Sequence, residues 1–335
     1  MRRLVYVSPD SNTPTGGIKV IYRHAEAMRD LGFDAHVMHF AAGFRCDWFA
    51  NDASIIQLSQ LRPTDIVVIP EIMTSLAIQL QSLGIDYCMF VQNGYLVLPT
   101  ADIATLRKCY DGALLTLSIS DDTTGLLLSL FPSLVNSILR QRYSIDRSKF
   151  MRAAKRDVVT YMPRKLPLHA SNVVPWLATE FPAWQFMPLH GMAEAQVAAA
   201  LGQSRIFLAF SDFEGCPVPP IEAALCGNVV IGYPGWGGRE YWHEPNFRAV
   251  EFGNTRDFVR KFYEVDRFAR TPQLNDLLAP GIAQLAQAYG ADAERADLLR
   301  LASRLGLAAG RPPRLPTPPA PVHAPAAAEL AGVPA

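Results

Sequence analysis

The sequence has no excess of charge of either sign. Its 335 residues contain 31 Lys and Arg against 31 Asp and Glu, so the formal net charge is zero. A protein dedicated to nucleic acid normally carries a clear basic excess, because its partner is a polyanion. We therefore expect no nucleic-acid partner.

Cysteine is scarce and unpaired. The five cysteines, at positions 46, 88, 109, 216 and 226, form no Cys-x-x-Cys pair. An odd, scattered set argues against a disulfide framework or a zinc knuckle. His36 and His39 are three apart in a predicted strand, so their side chains point to opposite faces and do not form a zinc site. We expect reduced, packed thiols and no bound metal.

Long hydrophobic runs are also missing. The most apolar region, residues 126–139, is interrupted by Pro132, Ser133 and Asn136, and falls short of the ~18 apolar residues of a spanning helix. The apolar stretch at residues 4–7 is too short for a signal-peptide core. The prediction is a cytoplasmic protein, and peripheral attachment to the inner face of a membrane stays open. A basic patch on the first domain would comprise Arg2, Arg3, Arg23 and Arg29.

Half of the residues are hydrophobic, and they fall into β-prone runs that alternate with helical patterns. Such alternation indicates parallel sheets covered by helices on both faces. The series appears twice, so we predict an α/β protein of two doubly wound, Rossmann-like domains facing a central cleft. The strands predicted are 4–7, 35–40, 66–70, 87–91, 114–119 and 135–143, then 157–161, 184–188, 206–210, 229–232 and 247–252.

Four segments follow from this pattern. Residues 1–145 form the first domain, and residues 146–272 form the second. Residues 273–308 are predicted to be helical, and residues 309–335 form a Pro/Ala-rich tail whose composition predicts disorder. Ligands of doubly wound sheets bind outside the carboxyl ends of the strands, which places a ligand between the domains.

The most informative stretch is residues 210–227, which runs from a predicted strand into a helix. It contains Glu214 and Glu222 with seven residues between them. Gly215 allows the backbone to approach a ligand, and the start of the following helix suits a diphosphate. Glu222 in the first turns of that helix can accept hydrogen bonds from a ribose diol. Glu214 in the loop can reach hydroxyls of an attached sugar.

This stretch resembles the Glu-x7-Glu motif of retaining GT-B glycosyltransferases, in particular glycosyltransferase family 4. The matching residues are Ser211, Glu214, Gly215, Pro219, Glu222, Ala223 and Gly227, and the stretch has Leu225 where the family has alanine. Three further segments resemble family loops: residues 15–17, with Gly16 and Gly17 in a glycine loop, residues 235–240, and the linker 144–150. A fourth, residues 161–165, resembles the loop that brings Arg164 and Lys165 to the donor diphosphate. The resemblance spans about residues 4–305 and implies the GT-B fold.

The resemblance implies transfer of a sugar from a nucleoside diphosphate to a hydroxyl of a glycan or glycolipid, with retention, as in polysaccharide biosynthesis. Arg164 and Lys165 would stabilise the leaving diphosphate, with Glu214 on the sugar. The leaving phosphate would take the acceptor proton, so no separate base is required. The nucleotide sugar is a substrate, and no cofactor is implied. The predicted donor-binding residues are Gly16, Gly17, Arg164, Lys165, Glu214, Gly215, Cys216, Val218, Pro219 and Glu222.

Two positions depart from the family pattern. Cys216-Pro217 replaces the usual Phe-Gly after Glu-Gly, and Pro217 has no amide to offer a phosphate. The histidine that the family often carries near the sugar is absent from its strand. The predicted acceptor-side residues at that place are Gln92, Asn93 and Tyr95.

Other readings of the same residues stay open. A nucleotide-sugar epimerase of the same fold would carry different acidic and histidine patterns in its cleft. A glycogen phosphorylase-like enzyme would need a lysine bearing pyridoxal phosphate and a far longer chain. A non-catalytic nucleotide-sugar-binding protein would keep the ribose contact and lack turnover. The absence of an Asp-x-Asp pair, which ligates a metal in the other large glycosyltransferase fold, agrees with a metal-independent reaction.

Overall fold

The computed structural model describes residues 2–310 and forms two parallel β-sheets with helices on both faces. The strands of the first sheet are β1 Leu4–Val7, β2 Ala35–His39, β3 Ile55–Gln57, β4 Ile66–Pro70, β5 Tyr87–Val91, β6 Leu115–Ser118 and β7 Ile138–Arg140. The strands of the second sheet are β8 Val158–Tyr161, β9 Gln185–Pro188, β10 Ile206–Ser211, β11 Val229–Pro234 and β12 Phe247–Ala249. The α/β fold class predicted from the sequence is confirmed.

The helices fill the connections between the strands. In the first half they are α1 Gly16–Asp30, α2 Thr74–Ser82, α3 Ile103–Asp111 and α4 Asp121–Leu130. In the second half they are α5 Pro167–Glu180, α6 Glu194–Gln203, α7 Val218–Leu225, α8 Gly235–Gly238 and α9 Thr255–Ala269, followed by α10 Leu274–Ala288 and α11 Ala291–Arg304. Short 3-10 helices span Leu58–Gln60, Gly94–Leu96, Leu98–Thr100 and Pro132–Asn136.

Both sheets have a doubly wound order. The first runs β3-β2-β1-β4-β5-β6-β7 and the second β12-β11-β10-β8-β9, with every recorded pair parallel. The central strands are buried along their whole length, because helices cover both faces of each sheet. The carboxyl ends of the two sets of strands meet at the cleft, which is where the conserved chemistry of such sheets is placed.

Helix α1 shows how the sequence pattern fixes an element. Its apolar stripe, from Ile18 through Tyr22 to Met28, has the spacing of a helical face and is buried against the first sheet. The helix ends where Gly32 adopts a φ of 89°, a left-handed conformation that glycine reaches without strain. It begins earlier than its apolar periodicity indicates, so Gly16 and Gly17 form its first turn rather than a loop.

Two sheet elements differ from the prediction. Strand β3 was not predicted, because its three residues are too few to show a period. The last strand of the first half is shorter than residues 135–143, since the segment that begins with Pro132 continues as a 3-10 helix to Asn136. Proline fixes φ in the helical range and offers no amide to a ladder, which delays the strand.

The last two helices divide between the two halves. Helix α10 packs on α7 of the second half, whereas α11 returns to pack on α1 of the first. Two buried carboxylates hold α11 there: Asp297 accepts from Arg142 Nε at 2.8 Å, and Glu294 accepts from Ser144 Oγ at 2.6 Å. Both bonds reach the connector between the domains, so the C-terminal helix fixes the place where the chain crosses.

One apolar cluster contains buried residues of both halves, including Ile18 and Ile21 of α1 with Ile221 and Ala224 of α7. The two domains therefore touch through packed side chains beside the cleft. None of the helices in residues 2–310 is both long and apolar enough to cross a membrane. The tail predicted to be disordered lies, from residue 311 onward, outside the described residues.

Candidate functional site

The Glu214–Glu222 stretch lies at the carboxyl end of β10, where the two domains come closest. Gly215 is buried there, and a Cβ added to it would stand 1.9 Å from the carbonyl oxygen of Gln92 in the other domain. Only glycine fits so near a backbone. The sequence predicted that Gly215 would approach a ligand, and the structure places it against the opposite domain.

The segment after β11, residues 235–241, packs against this loop and forms hydrogen bonds with it. Gly237 N donates to the Glu214 carbonyl at 3.0 Å, and Tyr241 Oη donates to the Pro217 carbonyl at 2.7 Å. A Cβ on Gly237 would lie 1.7 Å from the Gly215 carbonyl oxygen. The loop carrying Glu214 is therefore fixed on both sides of Cys216.

Lys165, after β8, and Glu214, after β10, form an ion pair at the carboxyl ends of these strands of the second sheet. The Lys165 side chain is 45% exposed and the Glu214 side chain 17%, so the pair is open to a ligand from the lysine side. Arg164, next to Lys165, is exposed and has no ion-pair partner among residues 2–310. The structure thus brings Lys165 to the motif and leaves Arg164 on the rim.

Glu222 lies on α7 with part of its side chain accessible, yet its carboxylate is withdrawn far enough that burial raises its pKa to about 7. The charge of Lys19 on α1 opposes this shift, and the charge of Glu194 adds to it. Within the described part of the chain the carboxylate has no hydrogen-bond donor. It is therefore a partly accessible acceptor that lies near Lys19 of the neighbouring domain.

The first turn of α1 faces the start of α7. A Cβ on Gly16 would lie 3.9 Å from Val218 Cγ2, and Gln92 Nε2 donates to the Gly17 carbonyl at 3.1 Å. The predicted residues Gly16, Gly17, Gln92, Gly215 and Val218 are thus gathered at one place.

The acceptor-side residues form a second group on the first domain. Asn93 Nδ2 donates across the cleft to the Phe213 carbonyl at 2.9 Å, and its Oδ1 accepts from Tyr95 N at 3.1 Å. The rings of Tyr95 and Phe213 lie 5.2 Å apart at an interplanar angle of 48°. Asn93 and Tyr95 therefore reach the motif from the opposite domain.

Glu71, which was not predicted from the sequence, holds the backbone of this group in place through hydrogen bonds. Its carboxylate is buried at the end of β4 and accepts from Gln92 N at 3.2 Å and Asn93 N at 2.8 Å. Burial raises its pKa to about 7, against the opposing effect of those two amides. A carboxylate directly after a buried strand is the signal that could have indicated it.

The Glu71→Gln variant is expected to change how stability depends on pH. The folded-state pKa of about 7 exceeds the ordinary 4.5, so the folded protein holds this proton more tightly than the unfolded chain. The contribution of Glu71 is therefore present below pH 4.5 and is lost as pH rises through 7, by at most about 3 kcal/mol. Urea unfolding of both proteins at several pH values measures it. A wild-type-minus-variant difference that is constant from pH 5 to 8 would contradict the assignment.

Backbone donors for a phosphate are few at the start of α7. Pro217, Pro219 and Pro220 lack an N–H, which leaves the amides of Gly215, Cys216 and Val218 near the loop. The predicted role of Pro219 is therefore limited to packing and backbone shape. The negative charge of a diphosphate bound here would have to be neutralised mainly by side-chain cations. Lys165 is the cation held beside the loop.

Cys216 is buried beneath the loop rather than facing the cleft. Its Sγ lies 3.4 Å from Tyr143 Oη and 3.8 Å from Tyr289 Oη, and burial raises its pKa to about 12. Such a thiol is protonated and packed, so the donor-binding role predicted for Cys216 is limited to its backbone amide. In residues 2–310 no cluster of three or more His, Cys, Asp or Glu side chains is placed to hold a metal ion.

Comparison with known proteins gives structures and no sequence relatives. No protein-family model matches this chain, and no curated protein sequence matches it. Sucrose-phosphate synthase from Thermosynechococcus elongatus is similar over 91% of this chain and 99% of its own, with a TM-score of 0.68 and 11% identity. HepE from Anabaena in complex with UDP and glucose matches 90% of this chain and 100% of its own, with a TM-score of 0.66 and 13% identity.

A third similar structure is the catalytic domain of starch synthase IV from Arabidopsis thaliana, bound to ADP and acarbose. It covers 90% of this chain and 99% of its own, with a TM-score of 0.65 and 9% identity. At these identities the likeness concerns the fold. Two parallel Rossmann-like sheets with their carboxyl ends at a common cleft, matched over nine tenths of the chain, establish that this protein has the GT-B fold.

Proposed function

We propose that this protein is a glycosyltransferase that moves a sugar from a nucleoside diphosphate to a hydroxyl of a glycan or glycolipid. The observation that carries the proposal is the Lys165–Glu214 ion pair on the loop that leads into α7 of a GT-B fold. The carboxylate of Glu222, on that helix, lies near Lys19 of the opposite domain. Structures of this fold bound to UDP and glucose, or to ADP and acarbose, support the same ligand class.

The chemistry assigned to these residues follows from the charge that develops. Departure of the diphosphate leaves negative charge on its oxygens and positive charge at the sugar carbon. Lys165, with Arg164 at the rim, would stabilise the first, and the Glu214 carboxylate would hold the sugar hydroxyls. The Lys165–Glu214 pair would separate when the donor enters, since the diphosphate replaces Glu214 as the partner of Lys165.

Retention of anomeric configuration and membership of glycosyltransferase family 4 are parts of the same proposal. Among residues 2–310, the carboxylates we place at the cleft are Glu214, Glu222, Asp122 and the buried Glu71, and none is assigned as a nucleophile. The leaving phosphate would accept the acceptor proton on the same face, as the resemblance implies. A cytoplasmic location and a role in polysaccharide biosynthesis belong to this proposal and rest on the resemblance alone.

The acceptor side is lined with rings that suit a sugar. Phe213 is 56% exposed beside Tyr95, and Trp236 is 42% exposed with Arg239 stacked at 3.9 Å from its ring centroid. Sugar rings bind to such surfaces through apolar C–H faces while their hydroxyls meet polar neighbours. Asn93 and Asp122, which accepts from Tyr95 Oη at 2.8 Å, supply those polar neighbours.

The test is a panel of nucleotide sugars, with binding measured by calorimetry and release of nucleoside diphosphate followed with and without acceptor extracts. Release that depends on both a donor and an acceptor is expected, and the anomeric configuration of the product is read by NMR. Failure to bind any nucleotide sugar would exclude the proposal.

The Glu222→Ala variant is expected to weaken binding of UDP by roughly 1–3 kcal/mol, because the ribose hydroxyls lose their acceptor. Calorimetry at pH 8, where the carboxylate is ionised, measures the change. Glu264→Ala on α9 is the matched control, since that glutamate pairs only with neighbours on its own helix. Equal affinity of Glu222→Ala and wild type would show that the ribose binds elsewhere.

A second function, a non-catalytic nucleotide-sugar-binding protein, is favoured by one observation. The three prolines at positions 217, 219 and 220 remove backbone donors from the phosphate end of the site. The same panel separates the two, because a binding protein would hold the donor and release no nucleoside diphosphate with any acceptor.

A further inference from the structure

The carboxylate of Glu240 joins the two domains. It accepts from Arg140 Nη2 at 2.5 Å and from Arg140 Nη1 at 3.1 Å, which makes a bidentate pair. It also accepts from Asp121 N at 2.8 Å and from Tyr289 Oη at 2.6 Å. Glu240 belongs to the second domain, whereas Arg140 ends β7 and Asp121 begins α4 in the first.

These bonds are shielded from water. The Glu240 side chain is 14% exposed and that of Arg140 is 21% exposed. A bidentate pair between Arg and a carboxylate is strong when its remaining lone pairs are satisfied, and the N-terminus of α4 adds a favourable dipole. Truncating Arg140 removes the cation that faces Glu240, whereas truncating Glu240 leaves Arg140 only the exposed carboxylate of Asp121, 2.6 Å from its Nη1. The contact thus favours one closed arrangement of the domains.

The segment 237–241, which contains Glu240, also forms hydrogen bonds with the loop that carries Glu214. Three residues before Glu240, Gly237 N donates to the Glu214 carbonyl at 3.0 Å. One residue after it, Tyr241 Oη donates to the Pro217 carbonyl at 2.7 Å. The loop therefore contacts the motif on both sides of Gly215, while its middle is fixed to the opposite domain.

We propose that Glu240 is a positioning residue that couples closure of the cleft to the placement of the Glu214 carboxylate. This inference rests on the proposed function, since Glu214 matters to catalysis only if a donor sugar binds beside it. Glu240 itself touches neither donor nor acceptor. It acts through Arg140 and Asp121 on the domain arrangement, and through Gly237 on the motif.

The test compares Glu240→Gln with Glu244→Gln. Glutamine keeps the size of the side chain and removes the charge that faces Arg140. Glu244 is the matched control, because it lies in the same segment, is 67% exposed and pairs with Arg248 of its own domain. Circular dichroism first checks that both variants fold. If Glu240→Gln does not fold, Arg140→Gln tests the same ion pair from the other domain.

Four readouts are taken. We expect Glu240→Gln to increase the radius of gyration measured by small-angle scattering and to speed hydrogen exchange in residues 212–218. Affinity for UDP should stay within about twofold, because the main nucleotide contacts lie in the second domain. With UDP-glucose, or whichever donor the panel identifies, kcat should fall about 100-fold, the usual consequence of misplacing a catalytic group by an ångström.

The double variant with Arg140→Gln should be no worse than either single variant, since both remove one interaction. Additive losses, or a Glu240→Gln protein with unchanged scattering and unchanged exchange at residues 212–218, would overturn the inference. If the wild type turns over no donor, the proposed function fails, while scattering and exchange still decide whether Glu240 controls closure and the motif.

Discussion

The Gly215→Ala variant is expected to lose nearly all activity while each domain stays folded. The added Cβ would stand 1.9 Å from the Gln92 carbonyl and 2.8 Å from Asn93 Cα, both backbone atoms of the opposite domain. Backbone yields little, so the domains must part by about 1 Å or more, and misplacement of that size costs about 100-fold in rate. Turnover together with small-angle scattering measures the effect.

Gly125→Ala on α4 is the control for this experiment. A Cβ at Gly125 meets no atom within 4 Å, so this substitution should leave activity unchanged and favour the helix by about 1 kcal/mol. Gly215→Ala with normal turnover and a larger radius of gyration would show that the closed arrangement is not the active one. Normal turnover with an unchanged radius would show that Gly215 does not need to lie this close to the Gln92 carbonyl. Loss of the folded state in Gly215→Ala would place the requirement for glycine within the second domain.

The Lys165→Gln variant is expected to lower kcat by about 100- to 1000-fold, the range seen when one preorganised donor to a developing anion is removed. The prolines after Cys216 leave few amides for the diphosphate, so this lysine has little support from the backbone. Stopped or continuous assays of nucleoside diphosphate release measure kcat, and Lys165→Arg should recover part of it because the charge is kept.

Lys108→Gln, on the exposed side of α3, controls for loss of a surface charge. If Lys165→Gln raised only the KM and left kcat unaltered, the lysine would bind donor and transition state equally, and its assigned role in leaving-group stabilisation would be wrong. In that case Arg164, which lies exposed beside it, would be the next residue to replace.

The candidate site was predictable in so far as it is local. Glu214, Gly215 and Glu222 stand in one stretch between a strand and a helix, and the strand that precedes them is buried and continuous. Their spacing predicts which side chains would face a ligand. Arg164 was named from the family resemblance, and the structure leaves it exposed on the rim, while Lys165 pairs with Glu214.

The rest of the site depends on contacts between distant parts of the chain. Glu71 supports Gln92 and Asn93 from a neighbouring strand, and Lys19 approaches Glu222 from the opposite domain. Arg140 and Glu240 are 100 residues apart in the sequence. From the sequence alone, a charged residue in a loop is expected to face solvent, because its partner is not known. No pattern of spacing therefore distinguishes these residues from surface charges.

The alternation of strands and helices by itself determined two parallel sheets. Buried strands appear as continuous apolar runs and helices as apolar residues at helical spacing, and both patterns lie within short segments of the chain. It also determined where the ligand-facing edges lie. Only the tertiary structure decided how the two sheets meet. That arrangement is set by Gly215 against the Gln92 carbonyl, by the return of α11 to the first half, and by the Arg140–Glu240 pair, each of which joins segments whose separation along the chain carries no periodic signal.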